Sequence, residues 1–195
     1  MAHPRIVSVN VARASEVAID GRCVLTAIGK RSTSAAVAVL PLGLAGDEQA
    51  DRSVHGGLSK ALYAYPGEHY AFWRTVRAQA GASLWDDDLA PGALGENLTL
   101  EGLVEADVYV GDVLRLPDCD LAVSEPRLPC FKFNAAMGFA QAAKMMVRSG
   151  WCGFFLAVRK PGTLRAGDTI ELVPGPRAVG IVELFRARTA RRAGE

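Results

Sequence analysis

Apolar residues along this chain fall in short runs set between turn-forming residues. The runs at 6–11, 37–40, 58–65, 97–100, 108–110, 113–116, 121–123, 154–158 and 169–173 have the composition of strands. Turn signals such as Pro117-Asp118 and Pro161-Gly162 separate them. Many short strands with frequent turns predict a barrel or folded sheet, mainly β with a few helices. Two segments carry a helical period instead. Pro66 can occupy a first helical turn, and residues 68–80 follow with Tyr70, Trp73 and Val76 on one face. Asn134 is placed to cap a helix over 135–149, with Phe139, Ala143, Met146 and Val147 inward and Gly150 closing the end. The stretch 82–91, with Asp86-Asp87-Asp88, predicts an exposed loop with solvated carboxylates. Residues 178–185 fit a last strand or the start of a short helix. Arg186, Arg188, Arg191 and Arg192 beyond them predict a solvated, frayed end.

Composition narrows the class. The chain has 195 residues, half of them apolar, which suits one domain with a sizeable core. Lys and Arg (22) nearly balance Asp and Glu (21), which argues against nucleic acid as a partner. The N-terminus does not read as a signal peptide, and no stretch approaches the roughly 18 apolar residues of a membrane span. A soluble, cytoplasmic protein without a membrane partner is therefore expected. In that compartment the four cysteines stay reduced, and without a Cys-x-x-Cys spacing they do not suggest structural zinc. Cys23, Cys119 and Cys152 are expected to be small buried hydrophobes.

Cys130 is different. It lies in Ser124-Glu125-Pro126-Arg127-Leu128-Pro129-Cys130-Phe131-Lys132, where two prolines stiffen the loop and Arg127 and Lys132 flank the thiol. Nearby positive charge favours the thiolate, the form that binds metal or attacks electrophiles. A hydrolytic dyad needs a histidine as base. His3 is terminal and His69 lies in an aromatic helix, which leaves His55 as the candidate. His55-Gly56-Gly57 followed by Lys60 suggests backbone that turns tightly or cradles an anion. Asn97, in Gly95-Glu96-Asn97-Leu98, can both donate to and accept from a heterocycle edge, or simply shape a strand entry. Gly111-Asp112 and Gly167-Asp168 predict structural turns.

Taken in order, these runs resemble the MOSC domain family, named from the C-terminal part of molybdenum-cofactor sulfurases, in its stand-alone bacterial, YiiM-like type. The residues that carry the resemblance are Gly29-Lys30, Gly46-Asp47, His55-Gly56-Gly57, Lys60-Ala61-Leu62, Tyr65, His69-Tyr70, Trp73, Gly95-Glu96-Asn97-Leu98, Val110-Gly111-Asp112, Pro126-Arg127, Pro129-Cys130, Lys132, Gly150-Trp151 and Gly162. The resemblance implies a mixed-strand β-barrel, like that of the pyruvate-kinase barrel, over residues 5–175. Residues 176–195 would be a short tail, too short for the three-helix extension of the YiiM-like type. In amidoxime-reducing members the cysteine matching Cys130 ligates molybdenum, and basic and polar side chains hold the pterin and its phosphate. By position those correspond to Lys30, Asn97 and Arg127. His55, Lys60 and Lys132 join them by charge and placement.

The implied cofactor is the molybdenum cofactor, molybdopterin. No counterpart of the sulfurases' pyridoxal-phosphate domain is seen, so desulfurase activity is not expected. Three functions follow. One is reduction of N-hydroxylated small molecules such as hydroxylaminopurines or amidoximes. Its electrons would come from a flavin or iron–sulfur partner reductase, and His55 would be a possible proton donor. Another is a sulfur carrier holding a persulfide on Cys130. The third is a non-catalytic molybdopterin-binding module. A homodimer is compatible with each.

Overall fold

The computed structural model describes residues 3–50 and 56–193. Among these described residues, thirteen strands and four α-helices follow one another in the order β1 (Arg5–Val11), β2 (Ser15–Ile19), β3 (Arg22–Thr26), β4 (Arg31–Thr33), β5 (Val37–Leu40), β6 (Gly43–Leu44), β7 (Leu62–Pro66), α1 (Tyr70–Gln79), β8 (Leu98–Glu101), β9 (Val113–Arg115), β10 (Asp120–Pro126), α2 (Phe131–Met137), α3 (Ala142–Ser149), β11 (Phe154–Lys160), β12 (Gly162–Leu164), β13 (Glu171–Val173) and α4 (Ile181–Ala193). Eight strands form one sheet in the order β13-β9-β10-β11-β7-β8-β1-β4. Its pairs are antiparallel except β7–β8, which is parallel. Every residue of β7 is buried, as expected of a central strand covered on both faces.

The fold is mainly β, as the apolar runs predict, but the sheet is not the closed barrel expected from the resemblance. Closure needs a continuous ladder between the first and last strands. Here the edge strands β4 and β13 are three residues each and no ladder joins them. The sheet curls without closing: Ile6 N donates to Asp168 O at 2.9 Å and Ile170 N to Pro4 O at 2.7 Å, laying 168–170 beside the start of β1. A second sheet, β12-β5-β6, and the isolated hairpin β2–β3 complete the strands.

Local chemistry explains the other departures. The helix expected over 135–149 is two helices, because Gly138 takes a left-handed φ of +78° and ends α2. Asn134 does not cap that helix from its own start; its Oδ1 accepts from Ala143 N at 2.7 Å and caps α3 across the turn. The run 58–65 begins as a 3-10 turn, Leu58–Lys60, before β7. Residues 108–110 make only one bridge, Tyr109 with Gly180. The paired β2 and β3 were not among the expected strands, although Val17-Ala18-Ile19 and Cys23-Val24-Leu25 flank an Asp20-Gly21 turn; most of their residues are exposed. Cys23 is one of these, whereas Cys119 and Cys152 are buried as expected; none of the four cysteines is in a disulfide.

The arginine-rich end is not frayed. It is the helix α4, anchored by Ile181 and Phe185, both fully buried. Asp112 prepares that docking. Its buried carboxylate accepts from Tyr109 N at 3.1 Å, Gly175 N at 2.7 Å and the Arg177 guanidinium at 3.2 Å, tying the chain ahead of α4 to the sheet. Among the described residues, no helix is long and apolar enough to cross a membrane.

Phe185→Ala should therefore cost about 3–5 kcal/mol, the usual range for an aromatic removed from a close-packed core. Urea unfolding reads this directly. A midpoint unchanged from wild type would mean that α4 contributes nothing to the core.

Candidate functional site

Pro126 closes β10 opposite Phe154 of β11, and the chain leaves the sheet through Arg127 to Pro129. Cys130 is the last extended residue before α2, with φ −134° and ψ 176°. Its carbonyl accepts from Phe133 N at 2.9 Å, which starts the helix, and its side chain is half-buried at the wall of a cleft. The same cleft is lined by Lys30, Lys60, Asn97, Arg127 and Lys132, drawn from segments far apart in the chain. His55 lies outside the described residues.

Arg127 is the most unusual member. Only 7% of it is exposed, and its guanidinium carbon lies 4.9 Å from the ring centres of both Tyr63 and Phe133. Stacking between two aromatic faces offsets part of the cost of burying the charge. The Nη1 atom, however, is buried and has no hydrogen-bond partner. A buried donor left unmade costs about 1–3 kcal/mol, so this N–H is held ready for an acceptor at a standing cost to the fold. Tyr63 is fixed from the other side, its hydroxyl donating to Cys152 O at 2.8 Å. Burial pushes its phenol far above the ordinary range, so it stays neutral against the guanidinium.

Lys30 and Asn97 form the floor, and their polar atoms are bonded within the protein. Lys30 Nζ donates to Asp47 Oδ1 in a buried ion pair. Burial lowers the lysine's pKa, and the Asp47 carboxylate acts against that shift. The second Asp47 oxygen accepts from Asn97 Nδ2 at 2.8 Å, while Ala12 N adds a third bond to Oδ1 at 2.8 Å. Asn97 also donates to Asn10 O at 3.3 Å and accepts from Tyr63 N at 3.0 Å. Beneath this floor, Glu96 is wholly buried and accepts from Gly92 N, Leu94 N, Thr99 and Tyr70, and its own burial raises its pKa. Gly95, which must take φ +87°, lets the backbone pass Ile28, whose side chain would lie 2.8 Å from an added Cβ.

Lys60 and Lys132 stand at the mouth. Lys132 Nζ donates to Leu25 O at 2.9 Å, linking the start of α2 to the β2–β3 hairpin. Lys60 Nζ lies 3.8 Å from Glu125 Oε1 and 5.9 Å from the centre of the Phe155 ring. The expected cradle at 55–57 is used in part elsewhere, since Gly57 N donates to Gln49 Oε1 at 3.0 Å. Sequence reasoning did not single out Asp47, Tyr63, Gln49 or Glu125 as parts of the site. Asp47 and Glu125 stood inside motifs already noted, Gly46-Asp47 and the run before Cys130. Gln49 carried no signal. Among the described residues, no group of three or more His, Cys, Asp or Glu side chains could hold a metal ion. His69, expected to be core, is buried against Glu105 at 2.8 Å and stacked on Trp151, away from the cleft.

This geometry can be set beside known proteins. The MOSC domain family matches residues 51–171. Protein YiiM of Escherichia coli strain K12 is 40% identical over 149 residues, covering 76% of this chain and 64% of that protein. A protein named "Reductase" from Gibberella moniliformis is 34% identical over 188 residues, 94% of this chain but only 32% of that protein. The chain thus spans under two thirds of YiiM and about a third of the fungal reductase. The crystal structure of YiiM from Geobacillus stearothermophilus superposes with a TM-score of 0.76 at 30% identity, covering 97% of this chain and 85% of that one. The curled sheet, the Pro-Cys loop and these likenesses agree: the chain belongs to the MOSC domain family and is of its YiiM-like type.

Proposed function

We propose that this protein binds the molybdenum cofactor in the Cys130 cleft and reduces N-hydroxylated small molecules, hydroxylaminopurines or amidoximes among them. Electrons would come from a separate flavin or iron–sulfur reductase. Membership in a family named for molybdenum-cofactor sulfurases and the likeness to a protein named "Reductase" support this reading. The observation that carries it is the Arg127 Nη1 donor, buried without a partner in the same cleft as Cys130. A phosphate-bearing group supplies the acceptor it lacks, through a charge-assisted bond. A persulfide carried on Cys130 alone leaves that donor unused.

The residues fit such a group in kind. Cys130 offers a soft sulfur to a soft metal–sulfur centre. Cys130 would be the ligand this chain offers; among the described residues no cluster of His, Cys, Asp or Glu accompanies it. When bound, the cofactor supplies the two-electron redox chemistry. The protein's own part is binding and orientation. Arg127 would bond the anionic portion and Lys60 and Lys132 would add positive charge, while the Lys30–Asp47–Asn97 floor holds the backbone under Tyr63.

Protein made in a host competent for cofactor synthesis should contain near-stoichiometric molybdenum by elemental analysis, and Cys130→Ala should lose both metal and reductase activity. Full metal and full activity in that variant would sink the proposal; metal without turnover on any N-hydroxylated compound would leave a binding module instead. Arg127→Met keeps the aromatic sandwich filled but removes the donor. It should weaken cofactor retention by about 1.5–3 kcal/mol, roughly ten- to a hundredfold, measured as molybdenum kept through extended dialysis. Retention equal to wild type would remove Arg127 from the binding role.

A further inference from the structure

Leu25, Leu40 and Leu42 are 48%, 50% and 41% exposed, and all three line one groove of about 470 Å³ beside the Cys130 cleft. Single exposed leucines are ordinary, but three on one concave wall mark a place for an apolar ligand. Groove and cleft are neighbours on two sides. Residues 47–50 line both, and on the hairpin side Leu25 lines the groove while Thr26, the next residue, lines the cleft. The polar side chains of the shared strip are spent within the protein. Asp47 is filled by Lys30, Asn97 and Ala12 N, and Glu48 Oε2 accepts from Ala14 N at 2.8 Å. Gln49 Oε1 accepts from Gly57 N at 3.0 Å, and its Nε2 donates to Leu42 O at 2.8 Å, which fastens the leucine turn to the strip. That turn is stiff. Pro41 fixes its φ, Leu40 pairs with Gly43 across β5 and β6, and a Cβ on Gly43 would lie 2.7 Å from Ala61 O. What this wall presents to a ligand is chiefly leucine hydrocarbon, held in a fixed shape.

We propose that the groove is a subsite for the apolar substituent of a small-molecule substrate whose polar head lies in the cleft, with Leu25, Leu40 and Leu42 as its specificity-determining residues. The inference rests on the reading of the cleft given above for the place of the head, and on no redox step. Its volume lies within the range of roughly 300–1,000 Å³ usual for small-molecule sites. The ligand class that follows is an aryl or alkyl N-hydroxylated compound rather than one whose bulk is a polar heterocycle. A purine or pterin edge laid against leucine gives up hydrogen bonds to water and finds none in return, which weakens binding for each group left unmade.

Benzamidoxime and acetamidoxime carry the same head and differ in the apolar group, so they are the probes. Each is titrated into the protein and followed by leucine methyl NMR, and KM and kcat are then measured on protein loaded with cofactor. Benzamidoxime should shift the methyl signals of Leu25, Leu40 and Leu42 and leave that of Leu84, exposed on the 82–91 loop, in place. It should bind on the order of tenfold more tightly than acetamidoxime, the discrimination a hydrophobic pocket gives an added apolar group. In the double variant Leu40→Asn, Leu42→Asn, shown to be folded by thermal melting, that preference should fall below about twofold, and KM for benzamidoxime should rise more than kcat falls. An unchanged preference in the variant would overturn the subsite. So would leucine signals that move with protein concentration and not with benzamidoxime, which would mark an interface between copies of the chain. Leucine shifts with benzamidoxime but no turnover of either amidoxime by loaded protein would overturn the reductase reading and keep the subsite.

Discussion

The carboxylate of Asp47 is the joint on which the cleft is assembled. A buried charge is tolerable only when its lone pairs are filled, and here Lys30, Asn97 and the Ala12 backbone fill them. Those three bonds fix the chain after β1, the chain before β4 and the entry to β8 against one loop. Asn97 then passes the constraint on. By accepting from Tyr63 N it holds the start of β7, and the Tyr63 ring is one of the two faces between which Arg127 is stacked. The guanidinium whose Nη1 lacks a partner is therefore held in place by way of a carboxylate outside its own stack. Removing one partner of the Lys30–Asp47 pair would leave the other charge buried alone, a far larger loss than the pair's own net contribution.

Two tiers of positive charge result. Lys30 is neutralised in the floor and serves architecture. Arg127 in the wall keeps one donor unpaired, and Lys60 and Lys132 line the same cleft. The tiers explain how a chain with a formal net charge of only +1 can present a locally cationic cleft beside a half-buried thiol. Preorganised donors held at a cost to stability are characteristic of sites whose ligand repays the strain on binding.

Much of this was legible in the residues, for reasons that also mark the limits. Strands such as β5, β10 and β11 were readable because their apolar runs are bounded by turn residues. The β2–β3 hairpin went unread although Asp20-Gly21 between Val17-Ala18-Ile19 and Cys23-Val24-Leu25 signals one; its strands are mostly exposed, so they lack the buried face of the others. The single helix expected over 135–149 ignored Gly138, which is tolerable inside a helical pattern but here takes a left-handed φ. A closed barrel came from the resemblance, and strand lengths at the sheet edges decide closure only in three dimensions. The Pro-Cys loop was readable because two prolines and two flanking cations around one thiol are rare together. Its connections were not. Asp47 looked like a turn residue after Gly46, and nothing in an arginine-rich end foretells that Phe185 buries it or that Arg188 meets Glu125.

The central claim is that one cysteine sulfur of this chain is a ligand of the metal. X-ray absorption at the molybdenum edge, recorded on protein isolated with its cofactor and on the Cys130→Ser variant reloaded under the same conditions, tests it most directly. The account predicts that one sulfur scatterer present in wild type is missing from the variant. Superimposable spectra from the two proteins would contradict it.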